Sequence, residues 1–182
     1  MSMLAGGLLV ALAGCDAAEG SAGLADRMLI GEIDDDTFVA VITDADSVLA
    51  YVCDGTPTSV NTATWFVGTH DGASFSLRHK SGARFDGSLV GDEVRGEFRL
   101  DGSALEYVVA SAEGEAGLFL ADEGDLRGGW IVQVGGDQRG AVLHRTTGDI
   151  VSAQPIMPSQ ASVVMQKQAS PLLRLQSPSL PN

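Results

Sequence analysis

Residues 70–109 read HDGASFSLRHKSGARFDGSLVGDEVRGEFRLDGSALEYVV, and this stretch decides the fold of the protein. Turn-forming pairs recur in it about every ten residues, and each contains a residue that tolerates the left-handed backbone of a tight turn. The pairs are Asp71-Gly72, Ser81-Gly82, Gly91-Asp92 and Asp101-Gly102. Between the turns, apolar and polar residues alternate, which is typical of strands with one buried face. The stretch therefore predicts a ladder of β-hairpins.

The turn at Gly91-Asp92 also predicts how the strands beside it pair. A two-residue turn places Leu89 opposite Val94, and the pairing then continues two residues at a time along the same face. The next pairs on that face are Gly87 with Gly96 and Phe85 with Phe98. Because two facing glycines leave a gap in a buried face, we expect the sheet to bend there or a bulky neighbour to fill the space.

Further strands are predicted on both sides of this ladder. Residues 37–43 and 47–54 are apolar at successive positions, which indicates strands covered on both faces, or strands at the place where a barrel closes. Three more strands are expected at residues 116–121, 129–134 and 139–145. Consecutive strands joined by tight turns form an up-and-down meander, and a meander of about ten strands satisfies its edges by closing. We therefore predict an all-β, antiparallel up-and-down meander that forms a closed or partly closed barrel.

The N-terminus has the pattern of an export signal. Residues 4–13 form an apolar run that is too short to span a bilayer but typical of the core of a secretion signal. The sequence LAGC, which ends at Cys15, follows this run and resembles the lipobox of bacterial lipoproteins, which are cut before the cysteine. The resemblance implies that fatty acyl chains such as palmitate are attached to Cys15 and anchor the protein to a membrane. One departure is that the first three residues, MSM, lack the positive charge with which secretion signals usually begin.

These patterns divide the chain into four segments. We expect a signal peptide at residues 1–14, a flexible tether at residues 15–27, the β-meander domain at residues 28–145, and a disordered tail rich in Pro, Ser and Gln at residues 146–182. The protein is then expected to be exported and anchored on the extracytoplasmic side of the bacterial cell envelope. With Cys15 acylated, Cys53 has no partner for a disulfide, so packing must stabilise the domain.

The composition excludes one class of partner. The chain contains 11 Lys and Arg against 24 Asp and Glu, which gives a net charge of −13. A protein of this charge repels the phosphate backbone of nucleic acids. We therefore expect no nucleic-acid partner. The membrane, reached through the lipid anchor, is the partner that the sequence indicates, and no motif identifies a protein or small-molecule partner.

The residues that commonly carry chemistry form no recognisable catalytic or metal-binding pattern. The three histidines, His70, His79 and His144, lack the spacing that brings two of them onto one metal ion. Cys53 ends an apolar strand, which indicates a buried structural thiol. The acidic cluster at residues 34–36 lacks the spacing of a calcium loop and is typical of a solvated turn. We therefore expect neither a cofactor nor an enzymatic activity.

Several short motifs resemble those of a set of uncharacterised secreted or membrane-anchored bacterial proteins. The motifs are AYVCDG at residues 50–55, the strand with Trp65, AGLFLA at residues 116–121 and GGWIV at residues 128–132. The set combines AYVCDG with a Trp-containing strand, then AGLYR, then GWIV and a Gly-rich turn, so the present chain has Phe-Leu where Tyr-Arg is expected. The resemblance covers about residues 37–142 and implies a β-meander domain, without indicating an activity.

Three functions are consistent with these expectations. The first is a lipid-anchored, extracytoplasmic binding or envelope-associated module. The alternative is a carrier of a small apolar ligand, because an up-and-down barrel encloses a cavity in lipocalins and in avidin-like proteins. The residues expected to line that pocket are Trp65, Phe85, Gly87, Gly96, Phe98 and Tyr107. A third hypothesis, a hydrolase that uses Cys53 or dispersed carboxylates, requires a thiol that solvent reaches or acids that cluster in a cleft.

Overall fold

The computed structural model describes residues 23–180, and these residues form fifteen strands in three antiparallel sheets. The prediction of an all-β, antiparallel fold is confirmed, with more strands than the turn pattern predicts. The expected signal peptide and Cys15 lie outside the described residues, as do the last two residues of the chain. The described part of the chain contains no helix that is long and apolar enough to cross a bilayer.

The first eight strands form one sheet that is nearly closed into a barrel. They are β1 (Met28–Glu32), β2 (Phe38–Thr43), β3 (Ser47–Cys53), β4 (Ala63–Thr69), β5 (Ser74–Arg78), β6 (Arg84–Val90), β7 (Glu93–Leu100) and β8 (Ser103–Ser111). Their order is β4-β3-β2-β1-β8-β7-β6-β5, so sequence neighbours pair and β1 pairs with β8. A β-bridge between His70 and Phe75 connects the two outer strands, β4 and β5. This arrangement is the up-and-down barrel that the turn ladder predicts.

The strands of the ladder pair as the sequence predicts. β6 and β7 meet at the turn that contains Gly91, whose φ of 64° lies in the region that favours glycine. Leu89 lies opposite Val94, and Gly87 lies opposite Gly96. The predicted register is confirmed, because a one-residue slip would have moved every apolar side chain of these strands to the solvent face.

Alternate residues of the eight strands fill the interior of the barrel, and aromatic rings occupy its centre. Phe85 stacks on Tyr107 with ring centroids 4.5 Å apart. The rings of Phe66 and Phe75 also pack against the ring of Phe85, with centroids 5.5 Å and 5.8 Å from its centroid. All four rings are buried. The barrel is therefore a packed core, since stacked and edge-on rings exclude solvent.

The packed domain begins earlier than the sequence predicts. Leu24 is fully buried in the barrel core, and its backbone N–H donates to the carbonyl of Gly72 over 3.0 Å. The Nε of Arg27 donates to the carbonyl of Gly23 over 2.8 Å, and the hydroxyl of Thr43 donates to the carbonyl of Leu24. Residues 23–27, which were expected to belong to the tether, are thus part of the barrel. The sequence signal for this is weak because a single leucine supplies the buried contact.

A second sheet of five strands covers one side of the barrel, in the order β12-β11-β10-β9-β15. Its strands are β9 (Gly117–Glu123), β10 (Leu126–Val132), β11 (Gln138–His144), β12 (Ile150–Ser152) and β15 (Leu173–Arg174). One face packs on the outside of β2 and β3 through residues such as Tyr51, Leu118 and Ile131. β2 is therefore buried at every position and β3 at all but its first, as their continuous apolar sequence predicts.

The segment after residue 145 covers the other face of the second sheet. It contains β12, β15 and a hairpin of β13 (Ser162–Met165) and β14 (Gln168–Pro171), which forms the third sheet. Ile156, Met165 and Leu172 pack in one apolar cluster with Trp130 and Phe119 of the second sheet. The molecule thus has three layers: the barrel, the second sheet and this covering segment.

Two polar contacts attach the covering segment to the sheet. The indole Nε1 of Trp130 donates to the carbonyl of Gln154 over 2.9 Å. The side-chain amide of Gln138 donates to the carbonyl of Ile156 over 3.1 Å and accepts from its N–H over 2.8 Å. The structure therefore differs from the disordered tail expected at residues 146–182. Its Pro, Ser and Gln content resembles that of disordered chains, but its spaced apolar residues bind a sheet face that exists only in the folded protein.

Candidate functional site

The structure brings five of the six predicted pocket residues together inside the barrel, where aromatic rings fill the space between them; on the outer face of the sheet, Gly87 and Gly96 line a cleft of about 510 Å³. The ring of Tyr107 occupies the space beside Gly87 and Gly96, and its hydroxyl donates to the carbonyl of Asp86 over 3.0 Å. A methyl group on Gly87 would lie 2.5 Å from that hydroxyl oxygen, and one on Gly96 would lie 2.7 Å from it. The glycine pair therefore makes room for a tyrosine ring, with Phe85 beside it. This packing does not favour a carrier with its ligand inside the barrel.

Trp65, the sixth predicted pocket residue, lies on the opposite face of the sheet. Successive residues of a strand point to opposite faces, and in β4 the neighbouring Phe66 is the one that enters the barrel. The indole of Trp65 stacks on Tyr51 outside the barrel, with ring centroids 4.0 Å apart and ring planes 23° apart. Sequence alternation predicts that Trp65 and Phe66 point to opposite faces of the sheet. It does not predict which of them faces inward, because both side chains are large and aromatic.

Cys53 is a buried thiol at the end of β3. It is 0% exposed, and the N–H of Gly55 donates to its sulfur over 3.3 Å. Burial raises the pKa of this thiol from 9.0 to about 11. Nucleophilic attack requires the thiolate and access for a substrate, and this environment provides neither. The geometry at Cys53 therefore does not favour a hydrolase that uses it.

The raised pKa predicts an alkaline loss of stability that depends on Cys53. Below pH 9 the thiol keeps its proton in the folded and the unfolded chain. Between pH 9 and pH 11 only the unfolded chain releases it, so the free energy of unfolding falls, by about 2–3 kcal/mol from this group. Urea unfolding at pH 8, 9, 10 and 11 should show a smaller fall for Cys53→Ala than for the wild type. The buried Tyr107 contributes to both curves, whereas burial, together with Cys53, raises the pKa of Tyr51, so the difference between the curves reports the thiol together with its interaction with Tyr51.

An identical pH dependence of the two proteins would contradict this assignment. Alkylation offers an independent check, because iodoacetamide at pH 8 should modify Cys53 only after urea unfolds the domain.

Aspartates cluster in the loops after β1 and β3. A cleft of about 570 Å³ is lined by Asp34, Asp35, Asp36 and Asp54. Asp34 accepts the N–H of Thr37 over 2.8 Å, and Asp54 accepts backbone N–H groups of the loop after β3. Within residues 23–180, no group of three or more His, Cys, Asp or Glu side chains is arranged to hold a metal ion.

The three histidines lie apart from one another, at or near the ends of strands. The Nε2 of His70 is 2.9 Å from the carbonyl of Asp44, and the Nδ1 of His79 is 2.8 Å from the hydroxyl of Ser81. The Nε2 of His144 is 2.8 Å from the side-chain amide of Gln166. Each imidazole therefore has its own local partner, as expected for turn histidines.

A cleft of about 360 Å³ lies at the end of the barrel where β4 begins, beside the second sheet. We call it the Trp65 cleft. Trp65 lines it together with Lys80, from the turn after β5, and Arg145, which follows β11. Asp101 supplies the one carboxylate among its lining residues. In a protein of net charge −13, the lining of this cleft carries an excess of positive charge.

A larger cleft, of about 750 Å³, lies at the edge of the second sheet. Two exposed apolar side chains, Val134 and Met157, line it. Its charged lining residues are Glu113 and Glu115. The linings of the two clefts therefore differ in the sign of their charge. The larger cleft combines apolar side chains with negative charge, and the Trp65 cleft combines an indole with positive charge.

No protein-family model matches the chain. A search among curated proteins likewise finds no match. The resemblance to bacterial lipoproteins and to exported bacterial β domains therefore stays a prediction from the motifs. The case for a function rests on the N-terminal motif and on the geometry of the described residues.

Proposed function

We propose that the protein is a lipid-anchored binding module on the extracytoplasmic side of a bacterial membrane. The observation that carries this proposal is the LAGC sequence ending at Cys15, directly after an apolar run of export-signal length. Leu24, nine positions after Cys15, is already buried in the barrel. The described domain thus begins after the residues that an export signal would remove.

The short segment between Cys15 and Gly23 limits how far the domain can lie from its anchor. A fully extended residue spans at most about 3.6 Å, so the eight steps from Cys15 to Gly23 reach at most about 29 Å. The end of the barrel that holds Leu24 and the turn at Gly72 is then the end nearest the anchor. The opposite end, where β4 begins at Ala63, is the outer end, farther from the anchor. The Trp65 cleft lies at this outer end.

Binding at an outer surface fits the packing better than storage of a ligand inside the barrel. The interior is occupied by the stacked rings of Phe66, Phe75, Phe85 and Tyr107. The clefts described above lie outside that stack. We therefore infer that an anchored copy of this protein presents its binding surfaces to the envelope space or to the exterior.

Metabolic labelling with a radioactive fatty acid tests the anchor. The full chain produced in a bacterial host should incorporate the label and remain with the membrane fraction. Cys15→Ser should incorporate none, because the acceptor thiol is lost. Cys53→Ala is the matched control, since it removes the other cysteine of the chain and should be labelled like the wild type. Equally low label in the wild type and Cys15→Ser would refute the anchor.

A further inference from the structure

The indole at the Trp65 cleft is held in place before any ligand arrives. Its ring stacks on Tyr51, and the second sheet approaches it through Gly129. A methyl group on Gly129 would lie 2.5 Å from the indole Cζ2 of Trp65 and 2.9 Å from the Cζ of Tyr51. The two sheets therefore fix the ring from two sides, while Trp65 remains partly exposed. A pre-positioned aromatic surface binds a flat, partly apolar face at low entropic cost.

Neutral polar groups line the same cleft. Thr62, Thr64 and Ser81 carry hydroxyls, and the side chain of Thr64 lies on the opposite face of β4 from Trp65. Burial, with the positive charge of Lys80, lowers the pKa of His79, so its imidazole is neutral at pH 7. Hydroxyls and a neutral imidazole both donate and accept hydrogen bonds. The lining thus matches a ligand that carries several hydroxyl groups.

The charge of the cleft selects among such ligands. Lys80 and Arg145 line it, and the guanidinium of Arg145 is held by a hydrogen bond to the carbonyl of Gly124. Asp101 is the single acidic lining residue. A cationic pair favours a carboxylate through charge-assisted hydrogen bonds. The overall charge of −13 disfavours long polyanions and so favours a small anionic ligand or the end of a chain.

We propose that the Trp65 cleft binds an acidic saccharide, that is, a sugar ring that carries a carboxylate. The apolar C–H face of the ring packs on the indole of Trp65, its hydroxyls bond to the hydroxyl and imidazole groups of the lining, and its carboxylate lies with Lys80 and Arg145. The cleft volume of about 360 Å³ lies in the range of small-ligand sites. This inference gives a ligand class to the binding module proposed above and rests on that function.

Fluorine NMR and calorimetry on the full chain test the proposal. The chain has two tryptophans. Trp65 lies in the cleft, and Trp130 is buried beneath the covering segment, with 1% of its surface exposed. Labelling with 5-fluorotryptophan therefore gives two resonances, which Trp65→Phe assigns. The probes are the trimer of galacturonic acid, free galacturonic acid and the neutral trimer of galactose. We use Cys15→Ser in detergent micelles, so that acylation does not enter the outcome.

The acidic trimer should shift the Trp65 resonance, leave that of Trp130 unchanged and bind at least tenfold more tightly than the neutral trimer. Free galacturonic acid should bind within tenfold of the trimer if a single ring fills the cleft, and more weakly if a chain end is recognised. The double variant Lys80→Gln/Arg145→Gln should lose at least tenfold in affinity for the acidic trimer. Lys167→Gln/Arg95→Gln makes the same charge change at exposed sites outside the lining of the cleft and should bind as before.

Three results would overturn the proposal: an unshifted Trp65 resonance at 10 mM acidic trimer, equal binding of the neutral trimer, or equal losses in the two double variants. A failure of the lipid anchor would appear in the labelling of Cys15 and leave these titrations unchanged. The two proposals therefore fail separately.

Discussion

Truncation after Arg145 is expected to destabilise the domain severely and to expose apolar surface. The removed segment covers Phe119, Trp130 and Val142 on the second sheet. Exposing the first two side chains to water alone costs about 3–6 kcal/mol. The truncated protein should therefore unfold at much lower urea concentration than the full chain and should bind the dye ANS. A disordered tail would predict no change in either measurement.

Two point variants on one strand provide the matched control for this truncation. Met165 is 3% exposed, whereas its neighbour Val164 is 68% exposed, because successive residues of β13 point to opposite faces. Met165→Ala should lower the free energy of unfolding by about 2–5 kcal/mol, and Val164→Ala by less than about 0.5 kcal/mol. If both variants have the stability of the wild type, the covering segment is not packed as described.

Gly96→Val is expected to cost at least about 3 kcal/mol of unfolding free energy, at the upper end of what overpacking a core costs. The new side chain would press into the carbonyl oxygen of Asp86 on β6 and come within 2.7 Å of the Tyr107 hydroxyl. The first contact is with backbone, so relief requires β6 and β7 to separate. Chemical denaturation monitored by circular dichroism measures the loss.

Ser88→Val is the control for this substitution. Ser88 lies on the exposed face of β6, opposite Arg95, where a β-branched residue suits a strand. Its unfolding free energy should stay within about 0.5 kcal/mol of the wild type. Equal stability of Gly96→Val and Ser88→Val would mean that the glycine pair does not face the core.

The predicted pocket inside the barrel shows which structural features the sequence pattern does not encode. Phe85, Gly87, Gly96, Phe98 and Tyr107 meet inside the barrel because their strands pair in the predicted register. Whether the space between them is open depends on ring conformations, which no spacing encodes.

The sequence does not predict the Trp65 cleft, for a related reason. Trp65 and Lys80 lie on the barrel, and Arg145 lines the same cleft only because the second sheet docks beside them. One signal was present, namely that Trp65 neighbours a second large aromatic on the same strand and that one of the two must face away from the interior.

The sequence by itself determined the strands and turns of the hairpin ladder and the pairing of β6 with β7. These features follow from contacts between residues close in the chain, where a turn such as Gly91-Asp92 leaves one register that keeps the apolar face buried. Tertiary structure alone decided that residues 146–180 form a cover and that Trp65, Lys80 and Arg145 line one cleft. Both depend on surfaces created by distant segments, since Met165 and Ile156 have no apolar face to bury against until Trp130 and its sheet are assembled.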